Sequence, residues 1–87
     1  MLTDNLKLEI ARLYRVEGDG PTKAFADVRI ADAILITGLR VVSGEKGLFV
    51  SLPRELGKDG KWYETVRTLN KETKEALSQI VLEAFNS

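Results

Sequence analysis

The chain has 87 residues, 44% hydrophobic and 30% charged, with 13 lysines and arginines balancing 13 aspartates and glutamates. One core, and so a single domain over 1–87, is the expectation, since two halves would each bury too little apolar surface, and a net charge of zero excludes a general pull toward polyanions. The absence of cysteine and histidine excludes a disulfide framework, a thiol nucleophile, thiolate or imidazole metal ligands and an imidazole base.

In chain order, "MLTDNLKLEI" lacks a basic region followed by an apolar one, and no window approaches the roughly 18 apolar residues of a membrane span. The chain therefore reads as cytoplasmic. Residues 6–16, "LKLEIARLYRV", alternate Leu6, Leu8 and Ile10 with Lys7 and Glu9, the period of a half-buried strand, until Arg12 breaks the apolar face. "EGDGP" at 17–21 signals a turn. A second strand, "KAFADVRI" at 23–30, sets Ala24, Ala26, Val28 and Ile30 opposite Lys23, Asp27 and Arg29. "ADAILITGLRVV" at 31–42 is more continuously apolar, as a strand covered on both faces would be; Gly38 inside it marks a bulge, and Asp32 falls at the connecting turn.

After the glycine turn "SGEKG", residues 48–52, "LFVSL", resume alternation and end at Pro53, which cannot donate to a ladder. Beyond Asp59-Gly60, "KWYETVRTL" at 61–69 reads as a short fifth strand or an irregular segment. Asn70 is an N-cap with Glu72 in the first turn, and Leu77, Ile80, Val81, Ala84 and Phe85 recur at helical spacing from Lys71 to Phe85. The expected fold is α+β: an antiparallel β-meander of four to five strands with a C-terminal α-helix packed on the sheet. One helix cannot cover all the apolar strand surface, so a second copy is expected to cover the remainder, giving a homodimer.

The scattered acids Glu9, Asp19, Asp27, Asp32, Glu45, Glu55, Asp59 and Glu64 read as solvated surface groups, leaving a carboxylate-dependent hydrolase as a remote reading. "GDG" and "GEKG" have neither phosphate-loop spacing nor a strand-to-helix context, so they are turns. Neither a cofactor nor a metal is implied. The basic residues Arg54, Lys58, Lys61 and Arg67 gather after Pro53, opposed by Glu55, Asp59 and Glu64, for a formal excess of only +1. Two readings stand: a mixed-sign solvated loop, or a short anchored loop whose cations meet phosphates while Trp62 and Tyr63 offer stacking surfaces. Burial is the commoner use of such aromatics. Arg40, leaving a buried strand, either joins these cations or snorkels and pairs with an acid such as Asp32.

The stretch "LRVVSGEKGLFVSLPRELGKDGKWYE", 39–64, resembles the central signature of the stage V sporulation protein G (SpoVG) family: a strand ending in an arginine and valines, a glycine turn, "GLFV", proline, a basic loop and an Asp-Gly turn before an aromatic. "LEIARLYRVEGDGPTKAFADVRI" is similar to that family's opening hairpin, and the C-terminal helix occupies the matching place. The resemblance implies a small dimeric protein linked to septation and, in spore-formers, to sporulation, whose relatives can bind DNA and RNA through consecutive cations after the proline. Here that loop reads Arg54, Glu55, Leu56, so an acid and a leucine stand where lysine and arginine are typical. The resulting expectation is a non-enzymatic, dimeric regulator that contacts DNA or RNA through Arg54, Lys58, Lys61, Arg40 and Arg67, with Trp62, Tyr63 and Leu56 as stacking or partner contacts. The alternative is a protein-interaction module at the division septum that uses Leu56 and Trp62 and binds no nucleic acid.

Overall fold

A computed structural model describes residues 6–87. Its main sheet takes β1 (Leu8–Arg15), β2 (Thr22–Ile30), β3 (Ile34–Gly44) and β4 (Gly47–Ser51) in sequential antiparallel order. A separate two-stranded sheet pairs β5 (Arg54–Leu56) with β6 (Trp62–Glu64), and α1 (Lys71–Asn86) follows. The expected α+β meander under a terminal helix is present.

Two irregularities explain where the simple alternation fails. The β1–β2 register shifts between Ile10 and Arg12, inserting Ala11 as an extra residue. Such a bulge exchanges the faces. Leu8, Ile10 and Leu13 therefore all pack against the core, while Arg12 and Tyr14 turn away, and the Arg12 guanidinium lies 4.6 Å from the Tyr14 ring centroid. The second lies between β2 and β3, where Gly38 takes φ 84° and donates its N–H to Asp27 Oδ1 at 3.3 Å. That is the bulge signalled by a glycine within an apolar strand.

The β2–β3 turn carries Ala31 at φ 53° and Asp32 at φ 54°. Two consecutive left-handed residues match the twist of tight hairpins, and aspartate tolerates that region better than most residues. Asp32 pairs with Lys7 at 3.3 Å, which replaces the considered pairing with Arg40.

The helix starts as expected: the Asn70 side chain accepts the Thr73 N–H at 2.8 Å, and Glu72 lies in the first turn. Leu77 and Val81 are buried with Ala24, Ala26, Val28, Leu39 and Val41, forming the core between helix and sheet. At the other helix end Arg15 Nη2 donates to the carbonyls of Phe85 at 2.7 Å and Ser87 at 3.2 Å. Its guanidinium also lies 5.6 Å from the Phe85 ring centroid. A cation there satisfies terminal carbonyls and complements the helix dipole.

Both readings of 61–69 hold in part: Trp62–Glu64 is a short strand, paired with Arg54–Leu56 rather than with the main sheet, and the rest is irregular. Pro53 lacks the N–H needed to continue the β4 ladder, and the glycine turn that follows lets the chain pair with itself. Within one chain the helix covers only one face of 31–42 and 48–52, which leaves the other as the surface a second copy is expected to meet. Leu39 and Val41 lie under the helix, but Tyr14, Phe25, Leu35 and Phe49 remain exposed on the opposite side of the sheet, because one helix covers one face.

Candidate functional site

The strands β5 and β6 make few contacts with the main sheet or helix, so residues 54–64 form a hairpin that stands off from the body. Its base is tied where the Thr65 N–H and hydroxyl both donate to the Pro53 carbonyl, at 3.0 and 3.3 Å. At its tip, Gly60 N–H donates to Gly57 C=O at 3.1 Å and Gly57 N–H to Lys61 C=O at 2.7 Å, with Gly60 at φ 83°. This is a turn closed by a left-handed glycine, a common way to end a short hairpin.

Asp59 organises that tip. Its Oδ1 accepts the Lys61 N–H at 3.0 Å, and its Oδ2 accepts the Tyr63 hydroxyl. The Tyr63 hydroxyl, helped by the Lys61 amide, holds the Asp59 carboxyl below its ordinary value, and the same hydrogen bond raises the Tyr63 phenol above its own. The ring of Tyr63 lies close over Gly57, where a Cβ would stand 2.7 Å from its Cε2. Tyr63 thus shapes the turn, and only a glycine fits beneath it.

In the hairpin register Leu56 lies opposite Trp62, Glu55 opposite Tyr63 and Arg54 opposite Glu64. Alternation puts Arg54, Leu56, Trp62 and Glu64 on one face. Trp62 is 62% exposed, Leu56 54% and Tyr63 51%, so the commoner expectation of burial holds for neither aromatic. Glu64 is engaged with Arg67 at 3.8 Å, at the base of the hairpin. Among the described residues no ion pair forms at Arg54, Lys58 or Lys61. Six of the expected site residues (Arg54, Leu56, Lys58, Lys61, Trp62 and Tyr63) are therefore brought together on the hairpin, and Arg67 adjoins it.

Arg40 sits elsewhere. It lies on the open face of the main sheet, in register between Phe25 and Ser51, two residues before Pro53. The row Tyr14, Phe25, Arg40, Ser51 crosses all four strands there, with Arg12 over Tyr14. The sequence signal for that row was the apolar face broken at Arg12, which becomes legible only once the bulge at Ala11 is recognised. Among the described residues no group of three or more acids is placed to hold a metal ion, and no helix is long and apolar enough to cross a membrane. A groove of about 430 Å³ between the helix start and the sheet end, lined by Ile36, Val66, Leu69 and Leu77 among others, contains no acid.

Compared with known proteins, the chain matches the SpoVG family over residues 7–87, a span that includes the whole hairpin. It belongs to that family. A relative from Archaeoglobus fulgidus named "Putative septation protein SpoVG" is 36% identical over 74 residues, covering 85% of this chain and 87% of the relative. One of the same name from Symbiobacterium thermophilum is 35% identical, covering 94% of this chain and 59% of the longer relative. "Putative septation protein SpoVG 2" of Listeria monocytogenes is 32% identical, with 85% and 72% covered. The SpoVG resemblance carried by "GLFVSLP" and Asp59-Gly60 thus extends to a family match over nearly the whole chain.

Proposed function

We propose that this SpoVG-family chain is a regulator of septation that binds nucleic acid through the hairpin 54–64. The carrying observation is the set of three cations without ion pairs, Arg54, Lys58 and Lys61, beside an exposed tryptophan on an element that stands off from the body. Long cations make phosphate contacts, and binding energy of this kind depends on local cations rather than net charge. Arg67 contributes less, being paired with Glu64, and Arg40, which lies on the open sheet face away from the hairpin, is not part of this contact. Fluorescence anisotropy with short DNA and RNA at low salt tests the reading. Binding should weaken when Arg54→Ala and Lys58→Ala are combined; no binding, or binding indifferent to both changes, contradicts it.

The open sheet face supports a homodimer as part of the same proposal. Exposed Tyr14, Phe25, Leu35 and Phe49 make an apolar patch of the kind that marks an interaction surface, and a second copy would cover it and present two hairpins. Sedimentation at micromolar concentration should report dimers, converted to monomers by Phe25→Glu; monomers for the unaltered chain contradict this.

A second reading draws on the exposed Leu56–Trp62 pair, which an apolar surface of a septal protein would fit. The two readings separate with salt, since phosphate contacts weaken steeply as it rises and an apolar contact does not.

A further inference from the structure

The hairpin face bearing Arg54, Leu56 and Trp62 offers more than charge. A double helix presents phosphates outward and keeps its base faces stacked inside, so cations alone suffice to hold it and an exposed indole gains little. A single strand carries the same phosphates but leaves base faces available, and each base–aromatic stack adds to affinity whatever the base. Residues two apart on a strand share a face and lie about 7 Å from one another, so Arg54 accompanies the Leu56–Trp62 pair on one surface. Lys58 lies in the turn, and Lys61, which directly precedes Trp62, falls by the same alternation on the Tyr63 side, so it meets phosphates that pass around the hairpin edge.

The neighbouring aromatic is committed elsewhere. Tyr63, 51% exposed, faces the other side of the hairpin with its hydroxyl bonded to Asp59 and its ring over Gly57, so Trp62 is the ring on the Arg54–Leu56 face. The same bonds hold the turn in one shape before any ligand arrives, reducing the ordering cost of binding. Leu56 lies directly opposite Trp62 and adds apolar surface beside the ring.

We infer that the hairpin takes single-stranded nucleic acid in preference to duplex, with an unpaired base stacked on Trp62 and phosphates met by Arg54, Lys58 and Lys61. This inference rests on the nucleic-acid reading above and sharpens it. Trp62 is the chain's only tryptophan, so its emission reports this site alone. The full chain is titrated at low salt with oligothymidylate, oligouridylate and a duplex of equal length, and Trp62→Ala, Trp62→Phe and Trp62→Leu are compared by anisotropy. Both single strands should quench the emission and bind more tightly than duplex. Trp62→Ala and Trp62→Leu should weaken single-strand binding by roughly 5- to 150-fold, the range of one base–aromatic stack, and Trp62→Phe far less.

Duplex binding should change less than about 2-fold in all three variants, because its contacts are phosphate contacts. Equal affinity for both forms, binding without quenching, or full single-strand binding by Trp62→Leu overturns the stacking inference while leaving the nucleic-acid reading intact. Failure of every nucleic acid to bind overturns both. So does a blue-shifted emission on anionic phosphatidylglycerol vesicles without any response to nucleic acid, which would make the tryptophan a lipid contact.

Discussion

Ala24, Val28, Leu39, Val41, Leu77 and Val81 are buried between sheet and helix, whereas every residue in both strands of the hairpin is exposed. The body is thus held by the transfer of apolar surface out of water, and the hairpin by a few local hydrogen bonds at its turn and base. An isolated two-stranded hairpin is marginal in water, so this one depends on its anchoring to a stable body at Pro53 and Thr65. The contrast teaches that stability and recognition are separable in this chain: the residues that keep it folded are not those offered to a ligand.

The sharpest way to break that contrast is to exchange the expected costs. Leu39→Ala or Leu77→Ala should destabilise by about 2–5 kcal/mol, a large share of the about 5–15 kcal/mol typical of a domain. Urea unfolding measures this, and Trp62→Ala should stay within about 0.5 kcal/mol of the unaltered chain. A comparable loss for Trp62→Ala would mean that the hairpin is packed rather than standing off. Next in size are the helix ends, where Asn70→Ala and Arg15→Ala should each cost about 1 kcal/mol by removing a cap and a dipole-complementing cation. Neither should alter nucleic-acid affinity.

The smallest effects lie in the hairpin turn. The Asp59 carboxyl titrates below its ordinary value in the folded chain, so its support of the turn is complete above the ordinary aspartate range and is lost as pH falls through that lowered value. Tyr63 titrates above its ordinary 10.0, so its half of the bond is intact below that and is lost as pH rises through the raised value. Tyr63→Phe should return the Asp59 titration midpoint, followed by NMR, toward the ordinary value while global unfolding barely moves. An unmoved Asp59 midpoint would show that the hydroxyl is not its main partner.

Much of the body was legible because its signals are local. The turn at 17–21, the Gly38 bulge, the Asn70 cap and the helical spacing of Leu77, Ile80 and Val81 each announce themselves within a few residues. The pairing of the short strand in "KWYETVRTL" was not legible, because the segment shows strand propensity without naming its partner, and the partner Arg54–Leu56 is too short to display a period. The exposure of Trp62 was likewise hidden: sequence shows an aromatic, and only the self-pairing after Pro53 shows that nothing lies over it. Arg15, at the end of β1, clasps a helix end 70 residues later in sequence, a relation that no short window contains.

The central claim is that the hairpin's cations carry the electrostatic part of nucleic-acid binding. Its most direct test is the slope of log affinity against log salt for a single-stranded oligonucleotide, compared between the unaltered chain and the triple variant Arg54→Ala, Lys58→Ala, Lys61→Ala. At about 0.7 per single-strand phosphate contact, three lost contacts should flatten the slope by roughly 2 for each hairpin engaged. Identical slopes for the two proteins would contradict the account.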